Sequence, residues 1–170
     1  MARRTGLREF QLSVAERIRS AATHAALSSR LGFQVAGDNW FVPLHQVNEV
    51  IPSPVILQVP LTHSWFRGVA NVRGNLYSIV DFSAFTGGEP IPPGPERRVI
   101  LISERLVPGS GLLVSRMLGL RNPEQFTAAQ RPANAPAWAA AAYTDAGGTR
   151  WLELDLPALV REQRFLEVGA

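Results

Sequence analysis

The chain has 170 residues, no cysteine, and 17 basic side chains that are all arginine. That length suits one domain, or two small lobes sharing a core, and needs no disulfide or metal staple. Disulfides and thiolate-bound zinc are excluded, as are P-loop, Schiff-base and kinase-type lysine chemistries.

The net charge of +3 is uneven. Residues 1–30 hold six arginines against Glu9 and Glu16, a net of +4, whereas residues 31–170 hold 11 arginines and 12 acids, a net of −1. A near-neutral body argues against a broad phosphate-binding face, while a basic arm can reach an acidic partner. Within the arm, Leu7, Phe10, Val14, Ile18, Ala21 and Ala25 recur at helical spacing and predict an amphipathic helix over residues 5–30. It can pack on the body or dock a partner. No apolar run approaches the length of a membrane span, and no apolar stretch follows the first arginines as in a secretory signal. The expected compartment is the cytoplasm.

From Leu31 the period changes to two. Phe33 and Val35, a turn at Gly37-Asp38-Asn39, then Trp40, Val42 and Leu44 predict a hairpin. A short apolar segment ends at Pro52, and Val55–Val59 reads as a short edge strand before Pro60. A second hairpin follows, with arms Phe66–Val72 and Leu76–Val80 around the turn Arg73-Gly74-Asn75. Gly74 is free to adopt positive φ, and Asn75 tolerates it. Asp81 then suits the N-cap of a short helix at Phe82–Phe85.

The proline-rich stretch 87–96 reads as an exposed loop between two halves. Strands are expected at Arg98–Ile102, Gly111–Ser115 and Met117–Leu120. Residues 121–142 read as a long connection, and Tyr143–Thr149 as a turn. A strand over Arg150–Leu156 precedes a helix opened by Pro157 and running to Arg164. Each half ends in an apolar strand, an aspartate and a short helix, which suggests two related lobes. Many short strands at this spacing point to small β-barrels.

No catalytic constellation emerges. There is no G-x-S-x-G, G-x-G-x-x-G or Walker A pattern, and the three histidines lack ligand spacing. Asp81 and Asp155 suit capping better than paired acid–base work. Trp40, Phe41, Trp65, Phe66 and Tyr77 would serve as stacking rings if the chain bound single-stranded nucleic acid, the rival to a protein-binding module. Arg73, a long cation beside a tight turn between apolar arms, is either a solvated turn residue or a contact.

The run Phe66-Arg67-Gly68-Val69-Ala70-Asn71-Val72-Arg73-Gly74, followed by Leu76 and by Ile79-Val80-Asp81-Phe82, resembles the signature of CheW-like coupling domains. Gly37 to Pro43, Val47-Asn48-Glu49-Val50-Ile51 and the lead-in Val59-Pro60 to Trp65 extend the resemblance, which covers residues 31–166. It implies a mainly β fold of two SH3-like five-stranded barrel lobes sharing an apolar core; to this the residue pattern adds an N-terminal arm over 1–30, a short C-terminal helix, and lobe boundaries near 87–96. It implies no catalysis and no cofactor.

The partners implied are a CheA-type histidine kinase and the cytoplasmic tip of a chemoreceptor, at membrane receptor arrays, with no nucleic acid and no membrane insertion. On that analogy Arg73, Ile56, Val69 and Asn71 lie at the receptor groove, and Gly68, Gly74, Asn75 and Asp81 are structural. The N-terminal helix and the Trp65-to-Gly74 run are similar to the PilI type, which serves type IV pili and twitching motility. Ser78, Phe82 and Val114-Ser115-Arg116 depart from the general pattern.

Overall fold

The computed structural model describes residues 29–170, so the expected helix over 5–30 lies outside the described residues except at its end, where Arg30 opens a strand instead. The described chain is mainly β, in two mixed sheets. Its strands are β1 (Arg30–Val35), β2 (Asp38–Pro43), β3 (Val47–Pro52), β4 (Phe66–Val72), β5 (Asn75–Asp81), β6 (Arg98–Ile102), β7 (Ser110–Val114), β8 (Arg116–Arg121), β9 (Phe126–Ala129), β10 (Ala139–Asp145) and β11 (Arg150–Leu154). The described residues also form three one-turn α-helices: α1 (Phe82–Phe85) after β5, then α2 (Leu156–Leu159) and α3 (Gln163–Leu166) in succession after β11.

One sheet has five strands in the order β3-β6-β7-β5-β4, and the other has six, β8-β1-β2-β11-β10-β9. They share a plan. In the first, hairpins β6/β7 and β4/β5 meet through the parallel pair β5–β7. In the second, hairpins β1/β2 and β10/β11 meet through the parallel pair β2–β11. The sixth strand, β9, is an addition at the edge.

This weave corrects two expectations. The sheets hold six and five strands rather than five each. The proline-rich loop does not part them, because β6 and β7 return to the sheet that β3, β4 and β5 began. Nor is that loop wholly exposed: Ile91 is buried, and its N–H donates to Asp81 Oδ2 at 2.8 Å.

Strand alternation divides the apolar residues. On β6, Ile100 and Ile102 join a core shared by both sheets, while Val99 and Leu101 turn to the opposite face. Leu112 and Val114 of β7 share the first face and Leu113 the second. A sheet buried on both faces reads as an unbroken apolar run, as these two strands do. From the other sheet, Phe33, Trp40, Val42 and Leu154 enter the shared core, together with Phe82, Phe85, Leu156, Leu159 and Phe165 from the helices. The expected shared apolar core is therefore present.

The two halves also repeat a capping device. Asp81 Oδ1 accepts from the Ala84 N–H at 3.1 Å, and Asp155 Oδ1 from the Ala158 N–H at 3.0 Å. The Asp81 N–H donates to the Trp65 carbonyl, and the Asp155 N–H to the Trp138 carbonyl, both at 2.8 Å. Each buried tryptophan thus ties the start of its hairpin to the end of the return strand.

Three local expectations change. Val55–Val59 is not a strand: only Leu57 pairs, with Val69. The predicted connection over 121–142 contains β9 and the start of β10, held by pairs such as Tyr143↔Ala128. The single C-terminal helix is two turns, α2 and α3, broken where Glu162 is extended, and this break lets Phe165 enter the core behind Leu156 and Leu159.

At the β10–β11 turn, Asp145 accepts from the Trp151 indole N–H at 3.0 Å and from the Gly147 and Thr149 amides at 2.9 Å each. The Trp151 bond, then the Thr149 amide, holds its carboxyl below the usual range. A lowered folded pKa contributes stability above the ordinary value, and that stability is lost as pH falls through the folded value. Protection of the Thr149 and Gly147 amides, relative to their intrinsic exchange rates, should therefore fall as pH drops below about 4. Asp145→Asn should flatten that dependence; equal acid sensitivity in both proteins would contradict the assignment.

Candidate functional site

The β4–β5 hairpin turns through two residues, Arg73 and Gly74, at φ +53° and +87°, with Val72 opposite Asn75. Positive φ at both central positions is the primed turn, whose twist matches its flanking strands. Asn75 begins β5, so the expected three-residue turn with positive φ at Asn75 is corrected: Arg73 takes that conformation instead. Asn71 Oδ1 accepts from the Gly74 N–H at 2.9 Å and braces the turn.

The turn projects Arg73, which is exposed. Its Nη1 and Nη2 donate to Glu49 Oε2 and Oε1 at 2.7 and 2.6 Å. This two-pronged contact holds the guanidinium in one plane and raises its pKa. Glu49 lies on β3, at the opposite edge of the five-stranded sheet from β4. An ion pair between edge elements requires the sheet to curl round on itself. The six-stranded sheet brings its edges together too, since only residues 122–125 separate β8 from β9.

The residues expected beside Arg73 play unequal parts. Asn71 is exposed, while Ile56 and Val69 are half-buried and pack against the two cores. Gly68, at φ +122°, lets a strap over residues 53–64 lie against β4. Leu57 and Val69 exchange both backbone hydrogen bonds at 2.8 and 2.9 Å, and a Cβ on Gly68 would stand 2.0 Å from the Leu57 carbonyl oxygen.

The strap carries residues that sequence reasoning missed. Val55 (83% exposed), Leu57 (66%) and Leu61 (86%) point outward at alternate positions, with Leu76 of β5 also exposed. Isolated exposed apolar side chains are ordinary; Leu57 sits on the part of the strap that pairs with β4, whereas Leu61 lies at the C-terminal residues, its carbonyl accepting from the Ala170 N–H at 3.0 Å. Alternation within 55–59 was readable; its outward direction was not, because it depends on Gly68 admitting the strap. Glu49 was missed as Arg73's partner because their meeting depends on sheet curl.

Asp81 and Asp155 are committed to their caps. Trp40, Phe41, Trp65, Phe66 and Tyr77 are all buried, so these rings offer no face for stacking bases. Among the described residues no helix is long and apolar enough to cross a membrane.

Comparison with known proteins places the chain among relatives of known family and fold. The family model for the CheW-like domain matches residues 30–164. Protein PilI of Pseudomonas aeruginosa is 33% identical over 146 residues, 83% of this chain and 80% of that one. The crystal structure of scaffolding protein TtCheW from Thermoanaerobacter tengcongensis superposes with a TM-score of 0.67 at 16% identity, over 83% of this chain and 97% of that one, a likeness of fold.

Proposed function

The chain belongs to the CheW-like family, whose scaffolding proteins are non-enzymatic, and from that premise we propose that it couples a chemoreceptor to a CheA-type histidine kinase. The similarity to PilI favours a pathway that controls type IV pili and twitching motility. The coupling domain spans 31–166 as two SH3-like barrel lobes, preceded by a segment of net basic charge. The protein works in the cytoplasm at receptor arrays, where many weak contacts add up.

The carrying observation is the placement of Arg73. It is fixed by Glu49 yet open to solvent, at the turn of the hairpin against which the strap carrying Leu57 lies. A helical receptor tip with an apolar stripe and a carboxylate suits that surface. Arg73, Asn71, Ile56 and Val69 form the receptor groove, with Ile56 and Val69 as its floor.

Arg73→Gly separates contact from fold. Glycine accepts φ +53° without strain, so the melting temperature should hold or rise slightly. Affinity for a receptor-tip fragment should fall about tenfold, as for a central interface anchor. Unchanged affinity in this variant and in Arg73→Glu would remove Arg73 from the groove.

A further inference from the structure

A second site lies on the far face of the six-stranded sheet. Phe41, Phe126, Tyr143 and Trp151 pack ring against ring there, outside the shared core. Two guanidiniums cover them. Arg30 lies over Phe41 and Tyr143, at 5.1 and 5.7 Å, and Arg121 over Trp151 at 5.1 Å. The two arginines are cross-strand partners on β1 and β8. Gly32, next to Arg30, leaves the room that this stack fills: a Cβ there would stand 3.1 Å from Trp151 Cζ3 and 3.2 Å from Arg121 Cγ.

The arginines differ in pairing. Arg30 donates through Nε and Nη2 to Glu153 Oε1 at 3.2 and 3.0 Å, and Tyr143 completes that carboxylate by donating to Oε2 at 2.9 Å. Arg121 Nε is buried, and among the described residues nothing accepts its proton. Arg121 also lines a cleft of about 400 Å³, together with Gln125, Phe126, Asp145, Gly147 and Trp151. Asp145 does not answer the cation. Its oxygens take the Trp151, Gly147 and Thr149 N–H groups of its own turn.

A buried donor with no acceptor is costly, and an oxygen delivered to it recovers that cost. A cation stacked on an aromatic ring keeps its donors aimed in one plane. We propose that Arg121 is a recognition residue for a partner protein's acidic side chain, whose carboxylate enters this cleft and accepts from the guanidinium while Trp151 backs it. The nearby Asp145 charge disfavours a phosphate dianion more than a single carboxylate. The inference rests on the coupling function and gives the six-stranded sheet its own contact, separate from Arg73.

The test follows the Arg121 Nε–H resonance in the full chain, titrated with a CheA-type regulatory domain, a receptor-tip fragment and free glutamate. One of the two protein partners should shift it. Arg121→Gln should weaken that partner about tenfold, and Arg121→Lys, which cannot stack flat, should not restore it. If both partners bind without moving the resonance, the inference is wrong. Saturation by free glutamate, or a shift in a Glu9→Gln/Glu16→Gln double variant without partner, would also overturn it, by identifying a small-molecule or internal occupant. Should neither partner bind the parent chain, the coupling function itself fails and takes this contact with it. The resonance in the parent protein decides the matter even if Arg121→Gln does not fold.

Discussion

Asp81→Ala should lower the unfolding free energy by about 3–5 kcal/mol, the largest effect expected of any single substitution considered. The side chain is 0% exposed and serves two segments at once. Oδ1 accepts from Ala84 and starts α1; Oδ2 accepts from Ile91 and pins the proline-rich loop. Arg67 Nη1 stands 3.8 Å from Oδ2 as the nearest cation. Alanine strands both N–H groups without water. Asparagine is a sharper probe, because its amide offers one acceptor and turns a donor toward the other N–H. Asp81→Asn should recover about half the loss. In thermal unfolding the alanine variant should melt about 6–20 °C lower. A fall of about 2 °C or less would mean that the caps contribute far less than their burial implies.

Gly68→Ala should cost about 2–4 kcal/mol, by a different route. Any side chain at φ +122° is strained, and the Leu57 carbonyl oxygen occupies the space of the new Cβ. Neither backbone can yield without breaking the Leu57–Val69 pair, so the strap should lift from β4. Hydrogen exchange should show lost protection at Leu57 and Val69 with the amides of β6 and β7 unaffected. Receptor affinity should fall with it, since the outward leucines lose their base. Unaltered exchange at Leu57 would show that the strap is held by other contacts.

These two residues show what the sequence carries and what it withholds. Caps and primed turns are local devices, so Asp81, Asp155 and Gly74 were legible from neighbours a few positions away. So was the alternation that sends Trp40 and Val42 inward. Pairing across the chain was not legible. The parallel pairs β2–β11 and β5–β7 join segments whose sequences carry no mutual signal, and the weave of the two sheets follows from them. Strand β9 hid within an Ala- and Pro-rich connection because only Phe126 of its four residues is a large apolar group. At the site, the signature residues announced Arg73, whereas Glu49, Leu57 and Leu61 needed the curl of the sheet and the strap to reveal their roles. Arg73 at positive φ was unexpected, since Asn75 is the better left-handed residue; strand register, fixed by Val72↔Asn75, overrode that preference.

The most direct test of the coupling function is reconstitution. A CheA-type kinase and membrane-anchored receptor fragments would be sedimented together with the full chain, with Arg73→Glu, and with no adaptor. Coupling predicts that the kinase pellets with receptor in the presence of the parent chain and stays in the supernatant with the variant or without adaptor. Kinase that pellets equally in all three, or a parent chain that pellets with neither partner, would contradict it.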